Sequence, residues 1–372
     1  MSVATRSAVM QTYARADVTF VDGDGTWLVA DDGRRYLDFA GGIAVVALGH
    51  AHPAPLAAAH EQLDRLWHVS NLYWTEPMTR LAALLSERFG GAATFFCNSG
   101  AEANEAAIKY ARKATGKTGI VALEGSFHGR TAGALAVTGQ PAKRAAFEPL
   151  LPGVTFAQLN DTASLEAAVG GRADVGLILI EPVQGEGGVL PATPGFVAAA
   201  AELAAEHGAL LCFDEVQTGV GRTGSFFAFE QLGVRPHLLT LAKGLANGLP
   251  IGALLAADGT PTGLEPGDHA STFGGNPVTC AAACAVVDRV DDELLANVHD
   301  RSAQLAEALP VRGKGLLLAL ETPEAPAAVG AALDAGLLVT TAGPTSLRLT
   351  PPLTVTAKEV AHAISILQEV LP

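Results

Sequence analysis

Short apolar runs separated by Asp-Gly pairs open the chain. Residues 18–39, VTFVDGDGTWLVADDGRRYLDF, place Asp24-Gly25 and Asp32-Gly33 between β-prone segments. Aspartate followed by glycine favours a tight hairpin turn, because glycine adopts positive φ angles without a steric penalty. The amino-terminal segment is therefore predicted to form antiparallel hairpins.

From about His50 the pattern changes to continuous apolar runs that alternate with helical segments rich in alanine and leucine. Strands that are apolar on both faces, with helices between them, indicate an α/β fold with a mostly parallel central sheet covered by helices. The predicted strands are TFFC, KTGIVALEG, DVGLILIEPV, ALLCFDEV, LLTLAK and IGALLAAD, and the predicted helices include AEANEAAIKYARKA and GFVAAAAELAAEHG.

After Asn276-Pro277 the segment VTCAAACAVVDRV predicts a long helix, and mixed strands and helices follow it. We divide the chain accordingly. Residues 1–48 are predicted to form the amino-terminal part of a smaller α+β domain and residues 49–274 a large domain. Residues 275–372 are predicted to supply a linking helix and the carboxyl-terminal part of the small domain.

The overall charge disfavours several classes of partner. The 372 residues include 24 Lys and Arg against 38 Asp and Glu, a formal net charge of −14. This balance argues against nonspecific binding to nucleic acid or to an anionic membrane surface. No uninterrupted apolar run is long enough for a membrane span. The start, MSVATRSAVMQTYARADVTF, lacks the apolar core of a signal peptide, so we expect a cytoplasmic protein.

Lys243 is the one charged residue in the stretch LLTLAKGLANGLPIGALLA, residues 238–256. Two interpretations fit it. A lysine at a strand end can extend its amine into water and have no further role. A desolvated lysine instead loses proton affinity, and a neutral amine can bond covalently to an aldehyde. The local sequence does not separate the two.

Asp214 ends the apolar strand ALLCFDEV, and its carboxylate is expected at the carboxyl edge of the sheet, where open α/β sheets bind ligands. Helix capping or a structural ion pair would explain this residue, and so would contact with a protonated ring nitrogen of a cofactor. Lys243 lies at the end of the next predicted strand. Two strand-end charges of opposite sign favour one shared cofactor.

Two loops supply further candidate ligand groups. Ser99, Gly100 and Ala101 mark a transition from strand to helix, where free N–H groups and the helix dipole favour a phosphate. Phe127 could belong to the core or stack on a planar ring. Arg130 in the same loop, GSFHGRT, is suited to bind a carboxylate.

Other motifs carry weaker signals. Glu186, in the glycine-rich loop EPVQGEGG, is by itself more typical of a solvated acid. The stretch GVGRTG at residues 219–224 matches the dinucleotide-binding pattern but does not open an amphipathic helix. The histidines and cysteines lack the spacing of a metal site, so no metal is predicted.

Taken in this order, NSGAEANEAAIKYAR, FHGRT, EPVQGEGG, FDEVQTGVGRTG, AKGLANGLPIGA and STFGGNP resemble the class III pyridoxal-phosphate aminotransferases. Within the class, the resemblance is greatest to the acetylornithine aminotransferases of arginine biosynthesis. It spans the chain from LDFAGGIAVVALGH to LRLTPPL. It implies a fold-type I homodimer whose active sites lie at the subunit interface.

The resemblance also implies how the cofactor, pyridoxal 5′-phosphate, is held. Lys243 would be the catalytic lysine that bonds to it covalently, and Asp214 would pair with its pyridine nitrogen. Phe127 would cover one face of the ring, and Gln217 would lie near the phenolic oxygen. Ser99, Gly100 and Ala101 are implied to lie at the phosphate. Thr272 of the partner subunit would join them there.

Two substrates, N2-acetyl-L-ornithine and 2-oxoglutarate, are implied as well. Arg130 would bind the distant carboxylate of the amine substrate. Ser271 would lie close to the substrate. Arg348 would bind the carboxylate next to the reacting carbon of 2-oxoglutarate, and Glu186 would pair with Arg348 at other times. Ile43 stands where ornithine aminotransferases have a tyrosine that engages the free α-amine, which favours an acylated amine.

Alternatives stay open. Succinylornithine, succinyl-diaminopimelate, ornithine and 4-aminobutyrate are possible amine substrates of a related class III ω-aminotransferase. A different reaction of the same cofactor is a second possibility, and a catalytically silent binding protein is a third. Intact Lys243 and Asp214 argue against the silent protein, because each has a chemical role that binding alone does not require.

Overall fold

The computed structural model describes residues 8–371. Residues 1–7, where the segment examined for a signal peptide begins, and Pro372 lie outside the described residues. None of the described helices combines the length and the apolar character that crossing a membrane requires.

Strands and helices alternate through most of the described chain. The strands are β1 Phe20–Asp24, β2 Trp27–Ala30, β3 Arg35–Asp38, β4 Ala92–Cys97, β5 Gly119–Leu123, β6 Val154–Ala157, β7 Val175–Ile180, β8 Val183–Gln184, β9 Leu190–Pro191, β10 Leu210–Asp214, β11 Leu238–Leu241, β12 Gly252–Ala257, β13 Val311–Lys314, β14 Leu317–Glu321, β15 Leu337–Leu338, β16 Thr340–Thr341 and β17 Ser346–Leu349. The α-helices are Pro53–Leu63, Glu76–Phe89, Gly100–Thr115, Ala132–Ala136, Pro141–Arg144, Thr162–Val169, Pro194–Glu206, Pro277–Arg289, Asp292–Ala308, Ala325–Asp334 and Ala357–Val370, and a single turn with positive φ angles lies at Gly41–Ala44. Short 3₁₀ turns occur at Ala145–Phe147, Ala228–Gln231 and Lys243–Ala246.

The central sheet has seven strands in the order β4-β12-β11-β10-β7-β5-β6. Neighbouring strands run parallel except at β12, which is antiparallel to both β11 and β4. The predicted fold, an α/β protein with a mostly parallel central sheet, is confirmed. Every strand predicted for this sheet is present, and β6 at one edge is an addition that the sequence analysis missed.

Both faces of the central sheet are buried, as the continuous apolar runs predicted. Along β7, Leu177 and Leu179 pack on one side with the helix Gly100–Thr115. Ile178 and Ile180 pack on the other side with the helix Pro194–Glu206. Successive side chains of a strand point to opposite faces, so a strand between two helix layers must be apolar at every position. Each such side chain contributes about 1.5–3 kcal/mol on burial.

The two ends of the chain meet in one small sheet. Strands β1, β2 and β3 form the predicted antiparallel hairpins, and β15 pairs in parallel with β3, placing Leu337 opposite Leu37. A second small sheet, in the order β13-β14-β17-β16, carries Arg348 on β17. These pairings support the proposed small domain built from both ends, with its boundaries at residues 48/49 and 274/275 still predictions.

Strand direction brings the candidate site residues together. Strands β4, β5, β7, β10 and β11 all run the same way in the central sheet. Their carboxyl ends therefore lie at one edge, which is the ligand-binding edge of open α/β sheets. Ser99, Phe127, Glu181, Asp214 and Lys243 each lie within a few residues of one of these ends.

Candidate active site

A cavity of about 400 Å³ opens at this edge. Its lining joins loops that follow five strands, with Val45 added from the segment before the helix Pro53–Leu63. Of the residues predicted for the site, those that line the cavity are Ser99, Gly100, Ala101, Phe127, Arg130, Glu186, Asp214, Gln217 and Lys243.

Lys243 begins the 3₁₀ turn that follows β11, and its backbone lies in the left-handed region at φ +42°. Non-glycine residues adopt this conformation at a cost of roughly 1–3 kcal/mol, and such strain is concentrated at functional sites. Across residues 8–371, the Lys243 amine has no hydrogen bond or ion pair. Burial lowers the pKa of this amine, although the charges of Glu186 and Asp214 act in the opposite direction. The geometry thus favours the desolvated, reactive lysine over the solvated one.

Asp214 is held rigidly as an anion. Its side chain is 4% exposed, and Oδ2 accepts hydrogen bonds from His128 Nδ1 and Asn104 Nδ2, each at 2.7 Å. Oδ1 accepts from Val216 N at 3.0 Å and Thr240 Oγ1 at 3.3 Å. Burial raises the pKa of the Asp214 carboxyl, but the hydrogen bond and charge of His128 and the other donors outweigh it and leave the pKa lowered. A buried fixed carboxylate can keep a nearby ring nitrogen protonated.

The amino terminus of the helix Gly100–Thr115 supplies an anion-binding surface. Ser99 is the N-cap, and its Oγ accepts the N–H of Glu102 at 3.2 Å. The N–H groups of Gly100 and Ala101 precede the first intrahelical donor, Ala103, and both residues line the cavity. Free N–H groups and the helix dipole at this end favour a phosphate.

The loop carrying Phe127 and Arg130 packs directly against that helix. Gly129 has φ +136°, and a Cβ at this position would lie 2.6 Å from the Cβ of Ala101, so only glycine permits the approach. Phe127 N donates to Glu181 Oε2 at 3.0 Å. Arg130 is exposed at the cavity, with its guanidinium carbon 5.6 Å from the Phe127 ring centroid.

Glu186 and Arg348 form an ion pair beside the cavity. Arg348 is 1% exposed and does not line the cavity, whereas Glu186 does. The Arg348 guanidinium also donates to Gln217 Oε1 at 3.2 Å, Gly185 O at 3.1 Å and Thr340 Oγ1 at 3.1 Å. Burial raises the pKa of the Glu186 carboxyl, but Arg348, together with Lys243 and Gln217, more than offsets this effect and lowers the pKa. The pair is therefore charged, and Glu186 covers the arginine.

Besides Arg348, three residues named in the sequence analysis do not line the cavity of their own chain: Ser271, Thr272 and Ile43. Ser271 Oγ accepts from Asn98 Nδ2 at 3.1 Å and from Gly274 N at 3.0 Å, and Thr272 is exposed. Ile43 is 42% exposed and also lies outside the cavity lining. The family resemblance implies that Thr272 acts in the partner's site, and its exposed position agrees with that expectation without testing it.

Several residues in the site were missed by sequence reasoning. Asn104 and His128 fix Asp214, and His128 Nε2 is buried with no hydrogen-bond partner in the described part of the chain. Glu181 is 5% exposed, and burial raises the pKa of its carboxyl to about 7. Lys143 lies over the ring of Phe127. The sequence did contain a signal for Asn104, because an asparagine among the alanines of a predicted helix is unusual if it is buried. The roles of His128 and Lys143 are recognised only in three dimensions.

Four features surround this one cavity: an unpaired desolvated amine, a fixed carboxylate, an aromatic face and a helix amino terminus. This combination is typical of the sites that bind pyridoxal phosphate in fold-type I transferases. The chain belongs to the aminotransferase class-III family, whose model matches residues 9–371. It is 48% identical over 378 residues to the acetylornithine aminotransferase of Mycolicibacterium smegmatis, covering 98% of this chain and 96% of that one. It is 44% identical over 377 residues to the acetylornithine aminotransferase of Bacillus subtilis, covering 98% of both.

Solved structures give the same family. The N-acetylornithine aminotransferase of Stenotrophomonas maltophilia superposes with a TM-score of 0.83 at 36% identity, over 96% of each chain. The ornithine aminotransferase of Toxoplasma gondii superposes with a TM-score of 0.94 at 30% identity, over 99% of this chain and 93% of that one. The resemblance inferred from the sequence motifs is confirmed, and pyridoxal phosphate is the cofactor of this enzyme family.

The residues present fit that cofactor. Its phosphate requires an anion site, and the free N–H groups of Gly100 and Ala101 provide one. Its pyridine nitrogen requires an acid, and its aldehyde requires an amine without another partner. Asp214 and Lys243 meet these two requirements within the same cavity.

Proposed function

We propose that the protein transfers the terminal amino group of N2-acetyl-L-ornithine to 2-oxoglutarate. The products are N-acetyl-L-glutamate 5-semialdehyde and L-glutamate, and the reaction belongs to arginine biosynthesis. The observation that carries this proposal is the Glu186–Arg348 pair beside the cavity that holds Lys243. The near full-length similarity to acetylornithine aminotransferases supports it.

The chemical work is divided between Lys243 and Asp214. Pyridoxal phosphate, when bound, supplies an electron sink for the bond that breaks at the amine-bearing carbon of the substrate. Burial lowers the pKa of the Lys243 amine, and Lys243 Nζ takes the proton from that carbon and later returns one. Asp214 holds a proton on the ring nitrogen and so maintains the positive charge that draws electrons away.

One cavity must accept two different substrates. The amine substrate presents an uncharged methylene at the reacting carbon, so Arg348 must be neutralised by the protein, and Glu186 does this. 2-Oxoglutarate presents a carboxylate there, and this carboxylate replaces Glu186 on Arg348. Arg130, exposed at the mouth, binds the distant carboxylate of either substrate.

Substrate preference is assigned to Ile43, which lies outside the cavity lining of its own chain. Ile43 cannot donate or accept a hydrogen bond, so a free α-amine gains nothing from it. We expect the rate of glutamate formation from 2-oxoglutarate to be highest with N-acetylornithine. The assay compares N-acetylornithine with ornithine, succinylornithine and 4-aminobutyrate by kcat/KM. A higher kcat/KM with ornithine or 4-aminobutyrate would show that N-acetylornithine is not the preferred substrate.

Replacing Glu186 with glutamine tests the exchange of partners at Arg348. The arginine then stays charged without its acid whenever the amine substrate is bound, which is unfavourable for a buried cation. We expect KM for N-acetylornithine to rise about tenfold, equivalent to ~1.4 kcal/mol, while KM for 2-oxoglutarate stays the same or falls. Each half-reaction is followed separately by rapid-mixing spectroscopy of the cofactor.

A matched control is available in the Arg312–Glu321 pair, in which Glu321 is exposed and does not line the cavity. Glu321→Gln should change neither half-reaction. Equal losses in both half-reactions of Glu186→Gln would show that Glu186 does not switch between substrates.

We further propose that the active unit is a homodimer with shared sites. Trp67, Leu72, Tyr73 and Trp74 are 65–86% exposed, and exposed apolar surface of this kind is typical of an interface. Asn71, within that segment, donates from Nδ2 to Ser271 O at 2.8 Å and to Gly274 O at 2.7 Å. The loop holding exposed Thr272 is thereby fixed at the apolar surface. A second copy covering this surface would receive Thr272 at its own phosphate site.

A further inference from the structure

Lys143, in the short helix Pro141–Arg144, is a cation beside the cavity that none of the roles above uses. Its amine lies 4.9 Å from the ring centroid of Phe127. The guanidinium carbon of Arg130 lies 5.6 Å from the same centroid. Phe127 and Arg130 both line the cavity, so two cations share one aromatic ring at its wall.

The Lys143 amine has no acidic partner. The side chain is half-buried, and no hydrogen bond or ion pair joins its amine to any residue from 8 to 371. Burial lowers the pKa of this amine, Glu186 opposes the change, and Arg130 and Arg348 add to it. A cation partly removed from water, next to other cations, is stabilised by an incoming anion.

Two other cations of the chain are placed differently. Arg144 lies over Phe156, with its guanidinium carbon 4.4 Å from that centroid, and does not share the ring of Phe127. Lys113 pairs with Glu265 at 2.7 Å and with Asp268. Among these cations, Lys143 combines proximity to the cavity with the lack of an acid.

We propose that Lys143 is a positioning residue that acts with Arg130 to bind the carboxylate at the outer end of the amine substrate. The inference rests on the proposed function for the identity of that substrate. Arg130 offers a planar fork of donors, and Lys143 offers a compact charge on a flexible stem. Together they orient the carboxylate above Phe127, which leaves the terminal amine free to point toward Lys243.

Equilibrium binding provides the first test. N-acetyl-L-norvaline has the skeleton of acetylornithine without its terminal amine, so it binds without reacting. Calorimetry on the cofactor-loaded enzyme should show that Lys143→Gln weakens binding of this acid by about 3- to 10-fold, as expected for one partly screened charge pair. Binding of the matching carboxamide should not change. Lys143→Arg should retain most of the affinity, and Arg144→Gln should behave as wild type.

Steady-state kinetics give the second readout. Lys143→Gln should raise KM for N-acetylornithine with kcat unchanged, and should leave KM for 4-acetamidobutylamine, which lacks the carboxylate, unaltered. Equal weakening of the acid and the carboxamide, or no weakening of either, overturns the assignment of Lys143. A wild-type enzyme that neither binds the acid nor turns over N-acetylornithine overturns the proposed function and this inference with it.

Discussion

Replacing Lys243 with alanine is expected to lower kcat/KM for N-acetylornithine by at least about 10³-fold, within the range that a positioned acid–base group contributes. The variant loses both the covalent attachment point and the proton carrier. The phosphate site at Gly100 and Ala101 is untouched, so cofactor should still bind, as measured by dialysis and absorbance. Added methylamine should restore part of the rate, because a free amine can enter the cavity and carry the proton.

Two further variants make this prediction specific. Lys113→Ala removes a lysine that pairs with Glu265 and Asp268 at the surface and should leave the rate unchanged. Thr272→Asp should impair cofactor binding in the partner's site by repelling the phosphate. Co-expression of Lys243→Ala chains with Thr272→Asp chains should then restore activity, because a mixed dimer contains one intact site. Absence of recovery would contradict shared sites.

Replacing Asp214 with asparagine is the second change with a large expected effect. The amide keeps the shape of the side chain but loses the charge, in a position where His128 and Asn104 still surround it. Breaking a buried charged interaction costs about 3–5 kcal/mol, so kcat should fall about 10²- to 10⁴-fold. The ring nitrogen should also lose its proton at lower pH, which spectrophotometric titration of bound cofactor measures.

The control for Asp214 is the adjacent acid. Glu215 is also buried, but its oxygens accept from Ala228 N at 2.7 Å and Phe229 N at 2.9 Å, and it does not line the cavity. Glu215→Gln should lower the melting temperature while leaving the cofactor titration unchanged. A kcat for Asp214→Asn within tenfold of wild type would mean that Asp214 only supports the fold.

The sequence was sufficient to predict Asp214 and Lys243 as site residues. A strand that is buried on both faces is a continuous apolar run, so the first charged residue after the run shows where the strand ends. Asp214 and Lys243 follow such runs, and parallel strands bring their ends to one edge. The edge strand β6 was missed because its four residues, VTFA, give too short an apolar pattern to stand out.

Features of the site that depend on tertiary contacts could not be predicted from the sequence. Residues 41–44 all adopt positive φ angles, including Ile43 and Ala44. Positive φ is expected from the sequence at glycine, but it is uncommon at isoleucine and alanine and so was not predicted there. The geometry of this segment is fixed by Asp38, whose Oδ1 accepts the N–H groups of Ala40 and Gly41. The partners of Asp214 likewise come from a helix and a loop distant in sequence, so their roles emerge only from packing.

The central claim is that Lys243 is the amine that bonds to pyridoxal phosphate within this cavity. Reduction of the purified, cofactor-loaded protein with borohydride, followed by digestion and mass spectrometry of the peptides, tests it directly. We predict that the peptide containing Lys243 carries the reduced cofactor and that peptides containing Lys143 or Lys113 do not. A label on another lysine, or a protein that takes up no cofactor, would contradict the account.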